Sequence, residues 1–226
     1  MAIQIQGNGG VIAEVDGTTF RALRVTARPV NYGALGMYRV GAVSGTMAAA
    51  LAANSELVQW RWVDATNLGL VYKVAVSAGA NVAATAAALV AFRLTIARGW
   101  TVAGTGGTRL VLTGNNVKLR TSMGTSLVND VGVSTTTGLG AGTKTLDVTD
   151  CGAVVRGIGT GALTTSSNFS LLDAGGGILF DADGEGQHPL VAVQNEGFIV
   201  RSGNAWPAAM TWHFAVQCVW AEAAAF

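Results

Sequence analysis

The sequence predicts an all-β fold, an antiparallel β-sandwich or jelly roll built as a single domain over residues 1–226 with long loops. Three observations predict it. Over 210–222, Met210, Trp212, Phe214, Val216, Cys218 and Trp220 occupy alternate positions, with Thr211, His213, Ala215 and Gln217 between them. A period of two places the large apolar set on one face of a strand. Short apolar runs and turn signals then recur roughly every 8–12 residues along the chain, the spacing of a sandwich. Finally, no stretch sustains a helical period. At about 3.3 Å per residue the closing strand spans roughly 35 Å, so its sheet must offer a deep apolar surface along that length.

Composition bounds the object. The 226 residues are enough to bury about 70% of the unfolded surface as one domain. Half the residues are hydrophobic and only 12% are charged, about half the charged share of an ordinary soluble domain. With so few charges, part of the surface is expected to be covered, by copies of the chain or by a larger assembly. The net charge of +1 gives no electrostatic case for nucleic acid or for an anionic membrane. Arg21, Arg24, Arg28 and Arg39 read as a strand edge facing solvent or another subunit. The opening 1–10 has neither a basic nor an apolar signal region, so synthesis in the cytoplasm is expected.

The elements follow in order. Ile3 and Ile5 alternate with glutamines before a glycine turn, and Asp16-Gly17 signals a hairpin between Val15 and the run Phe20, Leu23, Val25, which Pro29 stops. Residues 38–53 are small and apolar and lean to strand. Val58, Trp60 and Trp62 oppose Gln59 and Arg61 in a second strand of the closing pattern, and Asp64 to Asn67 is a turn. Strands are expected over 68–76 and 89–97, with the alanine-rich piece between them the best helix candidate, too interrupted by polar residues for a membrane span. A short strand over 109–113 ends at Gly114-Asn115-Asn116. From 118 to 144 the chain is dominated by Thr, Ser and Gly, an irregular excursion. Strand character returns over 146–156, around Ile178 to Phe180, over 190–193 and over 197–201.

Chemistry is sparse, and the sequence predicts no catalytic, cofactor-binding or metal site. His188 precedes a proline in a turn and His213 lies on the polar face of the closing strand. No serine sits in a Gly-x-Ser-x-Gly elbow. Gly142-Thr143-Lys144-Thr145 approaches a phosphate loop, but a threonine separates glycine from lysine, and Gly157 to Gly161 lacks the third glycine of a dinucleotide fingerprint. Asp181, Asp183 and Glu185 alternate in a glycine turn, the start of a calcium loop without its further ligands. Asn168-Phe169-Ser170 fits the glycosylation pattern without a secretory context. Cys151 and Cys218 lack metal or redox spacing.

Several phrases carry a resemblance: Ala13-Glu-Val-Asp-Gly-Thr-Thr-Phe-Arg-Ala-Leu-Arg-Val25, Thr105-Gly-Gly-Thr108, Leu112-Thr-Gly-Asn-Asn116, Leu119-Arg-Thr-Ser-Met-Gly-Thr-Ser-Leu127, Gly142-Thr-Lys-Thr-Leu-Asp147 and Gln194-Asn-Glu-Gly-Phe-Ile-Val200. With the closing strand they resemble virion structural proteins of tailed bacteriophages and prophages, over nearly the whole chain. Within that class the chain is similar to capsid decoration (cement) proteins. The resemblance implies a non-enzymatic subunit on the capsid surface, a trimer that clamps neighbouring major capsid proteins, with no cofactor. It transfers no functional residue. Residues 1–10 and 118–144 are the candidate arms or loops that would reach a neighbour. The alternative is a tail, baseplate or fibre component that binds a receptor or glycan. It would need exposed aromatics, and Trp100 and Trp206, beside turns, are its candidates, whereas Trp60, Trp62, Trp212 and Trp220 fit a buried face.

Overall fold

The structure, a computed structural model, describes residues 15–16, 22–23, 35–82, 84–158, 177–183 and 188–224. The chain divides into two compact units, Met1–Val30 and Asn31–Phe226. The boundary between them falls just after Pro29, where the first apolar run stops. In the first unit, β1 (Val15–Asp16) pairs antiparallel with β2 (Ala22–Leu23), the hairpin signalled by Asp16-Gly17. The 1–10 arm, Arg21, Arg24, Arg28, the Asn168 sequon and Glu185 lie outside the described residues.

The second unit is an all-β sandwich, with no helix among its described residues. Its strands are β3 (Gly36–Val43), β4 (Glu56–Trp62), β5 (Leu68–Ala80), β6 (Ala88–Val102), β7 (Thr108–Arg109), β8 (Asp130–Val133), β9 (Thr143–Leu146), β10 (Gly152–Ile158), β11 (Ile178–Asp181), β12 (Leu190–Ala192), β13 (Glu196–Ser202) and β14 (Trp212–Ala223). Among the described residues, seven strands form one sheet in the order β10-β6-β13-β4-β8-β7, with β9 also on β6. Five form the other in the order β11-β5-β14-β3, with β12 also on β5. The pairings are antiparallel.

Between the sheets lies the core that the alternation predicted. Trp212, Phe214, Val216, Cys218 and Trp220 of β14 are buried, as are Trp60 and Trp62 of β4. Trp60 stacks on Phe198 of β13 (centroids 5.5 Å apart) and meets Trp220 of the opposite sheet edge-on at 6.3 Å. At the other end, Trp212 stacks on Trp206 at 3.5 Å, and Phe92 of β6 meets both rings edge-on. Aromatic contacts of this kind add about 0.5–1.5 kcal/mol each beyond their buried area. Gly69 leaves room for the opposite sheet: a Cβ there would lie 2.8 Å from both Trp60 and Trp62.

Three local expectations are corrected. The alanine-rich helix candidate is not a helix: β5 runs on to Ala80 and β6 begins at Ala88, because pairing along β14 continues to Trp212↔Ala80 and outweighs alanine's helical preference. The strand expected over 38–53 stops at Val43, where regular pairing with β14 ends at Ala215, although Ser44 N still donates to Phe214 O and Met47 forms an isolated bridge to Trp212. The strand expected over 109–113 shrinks to Thr108–Arg109. The 118–144 stretch is irregular around β8 and is fastened to the sandwich. Leu119 N donates to Met37 O, Ser134 N to Leu57 O and Leu139 N to Glu56 O, and β8 is buried between β4 and β7.

Candidate functional site

Most of the described ion pairs collect on the outer face of the seven-stranded sheet, and β4 shows why. Alternation turns Trp60 and Trp62 into the core and Gln59 and Arg61 outward. Opposite β13 the register slips, with Val200 facing Val58 but Arg201 facing Glu56. One extra residue in β4 reverses the alternation and brings Glu56 round to the side of Gln59. Gln59 Nε2 donates to Glu56 Oε2 at 2.6 Å and to Gly140 O at 2.8 Å. Its Oε1 accepts from Arg109 Nη2 at 3.3 Å. Only this amide orientation satisfies all three neighbours.

Lys144, from β9, completes the group. Its Nζ lies 2.8 Å from Glu56 Oε2, and the two side chains are 2% and 8% exposed. It also donates to Ala141 O and sits 4.5 Å from the centre of the Trp100 ring, a desolvated cation–π contact. Arg109 and Arg61 share Asp130, at 3.0 and 2.9 Å, and Arg61 Nη1 donates to the carbonyls of Trp100 and Thr101. The result is one connected network over β4, β8 and β9 that fastens the 100–109 and 138–144 segments onto the sheet. Gly104 is part of the fit: a Cβ there would collide with Gly140 O and the Gln59 amide.

A second cluster lies further along the same sheet. Asp150 accepts from Thr95 Oγ1 at 2.5 Å and Arg201 Nη2 at 2.8 Å, with Arg93 Nη1 at 3.5 Å. Burial alone would raise the Asp150 carboxyl, but these bonds and charges outweigh it and hold it below the usual range. Arg98 bridges Asp147 and Glu196 nearer the surface.

The residues singled out in the sequence fare differently. Lys144 reaches inward to Glu56 and no longer resembles a phosphate-loop lysine. His213 lies on the outer side of β14, its Nε2 3.3 Å from Thr46 Oγ1 and its Nδ1 3.4 Å from Ser44 O. His188 Nδ1 is 2.7 Å from Pro189 O. Asp181 pairs with Lys73 at 2.7 Å, and Lys73's hydrogen bond is the main cause holding its carboxyl below the usual range. Among the described residues no three His, Cys, Asp or Glu side chains gather as metal ligands. Cys151 is at the surface, while Cys218 is buried and burial pushes its thiol up. Trp100 and Trp206, expected at the surface, are 0% and 3% exposed. Trp100 packs with Ala97, Ile199 and Leu146 beneath Lys144, and Trp206 is half of the Trp212 stack. A turn beside a tryptophan fixes where its backbone runs but not which segment folds over its ring.

Glu222 is the residue that sequence reading passed over. It continues the core-facing series of β14 two positions after Trp220 and is fully buried. It accepts from Ser126 Oγ (2.7 Å), Leu127 N (2.9 Å) and Trp220 Nε1 (3.2 Å). Burial raises its pKa despite those bonds, while burial and the Glu222 charge push Tyr38 up to about 12. The signal was available: the period of two that runs through Trp220 lands next on a carboxylate.

Fold and network together define a two-sheet all-β sandwich whose buried charges brace its own loops. No protein-family model matches the chain, and neither does any curated protein or any solved structure.

Proposed function

We propose that this chain is a structural subunit of a tailed-bacteriophage virion, specifically a head decoration or cement protein. It is made in the host cytoplasm, sits on the capsid surface as a homotrimer and clamps neighbouring major capsid proteins. Cofactors, nucleic acid and membrane have no part in this role, and the reading assigns no substrate turnover. The resemblance in the sequence supports it, as does a composition poor in charge.

The observation that carries the reading is the contrast between the two outward faces of the sandwich. On the seven-stranded sheet the 100–109 and 138–144 segments cover the outer face over β4, β8 and β9, and the charges there are paired. On the five-stranded sheet two outward rows run Val43, Ala215, Ser77 and then Gly41, Gln217, Ala75, before a row of Arg39, Val219 and Lys73 whose lysine pairs with Asp181. Val43 is 71% exposed and Ile178, beyond Ala75, is 42% exposed. Small side chains on a flat sheet let another surface approach closely, and many copies on one particle multiply a weak contact. The tail or fibre alternative loses its aromatic support, since Trp100 and Trp206 are buried.

The test compares particles carrying the protein with particles stripped of it, following genome release on heating or osmotic shock. Stripped heads that stay assembled but release DNA at lower temperature support the reading. Heads that behave alike, with the protein fractionating with tails, refute it.

A further inference from the structure

The Lys144, Glu56 and Gln59 group holds more than a buried ion pair needs. The lysine amine and the glutamine amide nitrogen both bond to the same carboxylate oxygen, Glu56 Oε2, at 2.8 and 2.6 Å. An amine nucleophile and a nitrogen leaving group therefore lie on either side of one proton acceptor. The amide is polarised from its other end as well, since Arg109 Nη2 donates to Gln59 Oε1, the atom on which negative charge would develop if the carbonyl carbon were attacked. Water is kept out: Lys144 and Glu56 are 2% and 8% exposed at their side chains and Gln59 is 1% exposed. The Trp100 ring covers the lysine on one side and the Gly104 and Gly140 backbone closes over the amide.

We propose that Lys144 and Gln59 join in an intramolecular isopeptide bond, with Glu56 carrying the proton between them. Glu56 Oε2 takes a proton from Lys144 Nζ, an easier transfer in a dry site because the products carry no charge. The amine attacks Gln59 Cδ, and Arg109 stabilises the oxyanion that forms on Oε1. Glu56 then delivers its proton to Nε2, the Cδ–Nε2 bond breaks and ammonia leaves. A Cδ–Nζ amide replaces the Cδ–Nε2 amide and the lysine's second surplus proton leaves with the ammonia as ammonium, so atoms and charge balance and no oxidant or cofactor is consumed. The folded sandwich holds the amine and the amide on one carboxylate oxygen, and such pre-organisation is where intramolecular steps gain their advantage. This is one turnover of the chain upon itself, and it does not depend on the virion reading. The bond would tie β4 to β9 and fix the loop layer over the sheet.

The test is the intact mass of the full-length folded chain, held at neutral pH and followed over days, with peptide sequencing after tryptic digestion. The expected result is loss of one ammonia, about 17 Da, and a branched peptide joining Lys144 to Gln59, with no tryptic cut after Lys144. Lys144→Arg, which keeps the charge beside Glu56, abolishes the loss, and Glu56→Gln slows it by about a hundredfold or more. Circular dichroism confirms that both variants fold. An unchanged mass in the folded wild-type chain overturns the proposal. So does an ammonia loss that persists in Lys144→Arg, which would report an asparagine ring closure, and so does loss of water, about 18 Da, with Lys144 joined to Glu56.

Discussion

Replacing Glu222 by glutamine tests how the closing strand accommodates a carboxylate in its core. In the folded chain burial raises the pKa of Glu222, so the folded state holds the proton more tightly than the unfolded one. The stability linked to that proton is complete below the unfolded value, about 4.3, and is lost as pH rises through the raised folded value. Each unit of elevation corresponds to about 1.4 kcal/mol. Glutamine matches the neutral acid in size. One carbonyl oxygen can still accept from Leu127 N and the Ser126 hydroxyl can turn to accept from the new amide, while Trp220 Nε1 loses part of a 3.2 Å bond. Near pH 4.5 wild type and Glu222→Gln should therefore differ by no more than about 1 kcal/mol. Above that the difference should move in favour of Glu222→Gln until pH passes the raised folded value, and then level off. Asp150, Asp64 and Asp181 are shifted the other way, downward, so their stability is lost only as pH falls below about 4, outside this window. Urea unfolding followed by tryptophan fluorescence at pH 4.5, 5.5, 6.5 and 8 measures the difference directly. Parallel pH profiles for the two proteins, or a difference that moves towards wild type with rising pH, would refute the argument.

Other substitutions probe the packing and the loop layer. Gly69→Ala should lower stability by about 1–3 kcal/mol in denaturant titration, because its methyl group must displace the Trp60 and Trp62 rings between the sheets. Trp206→Ala should cost about 3–5 kcal/mol by the same assay, since it empties one side of the stack with Trp212 and the edge contact with Phe92. Asp130→Ala leaves Arg61 and Arg109 without their shared carboxylate and should cost about 3–5 kcal/mol. Amide exchange should then quicken first in the 100–109 segment that Arg61 and Arg109 hold.

What could be read in the sequence was what a short window contains. The core faces of β14 and β4 follow from alternation alone, because a strand buried on one side must place Trp212, Phe214, Val216 and Trp220 together. The hairpin near Asp16-Gly17 is equally local. What escaped notice depends on partners far along the chain. Glu56 and Lys144 are 88 positions apart, and nothing near either residue announces the other. The slip in β4 that brings Glu56 to the outer side shows only in the pairing of β13 with β4. Trp100 looked available because its neighbours are turn-formers, yet the segment that covers it arrives with Lys144. The alanine-rich 81–87 connection misled in the opposite sense: local propensity is weak, and the pairing of β5 and β6 in two different sheets decides where each strand ends.

The distribution of charge follows from this architecture. A sandwich can bury the inner faces of its sheets by alternation, but an outer face covered by its own loops must also satisfy the polar atoms those loops carry in. Here that is done with a few long side chains that reach both the sheet and the loop backbone. Arg61 bonds Asp130 and the carbonyls of Trp100 and Thr101, Arg109 bonds Asp130 and Gly104 O, and Lys144 bonds Glu56 and Ala141 O. Each pairs a buried charge with its counter-ion and also gives loop carbonyls a donor. Removing a carboxylate from this network therefore loosens loops as well as leaving a cation alone. The five-stranded sheet has no such layer over Gly41, Val43, Ala75 and Ala215 among the described residues, and it needs few charges there because its outer side chains bring little polar surface of their own. A chain that is only 12% charged has thus placed most of its described ion pairs where its loops fold back, and on the other side of the sandwich a patch of small side chains lies beside the Lys73–Asp181 pair.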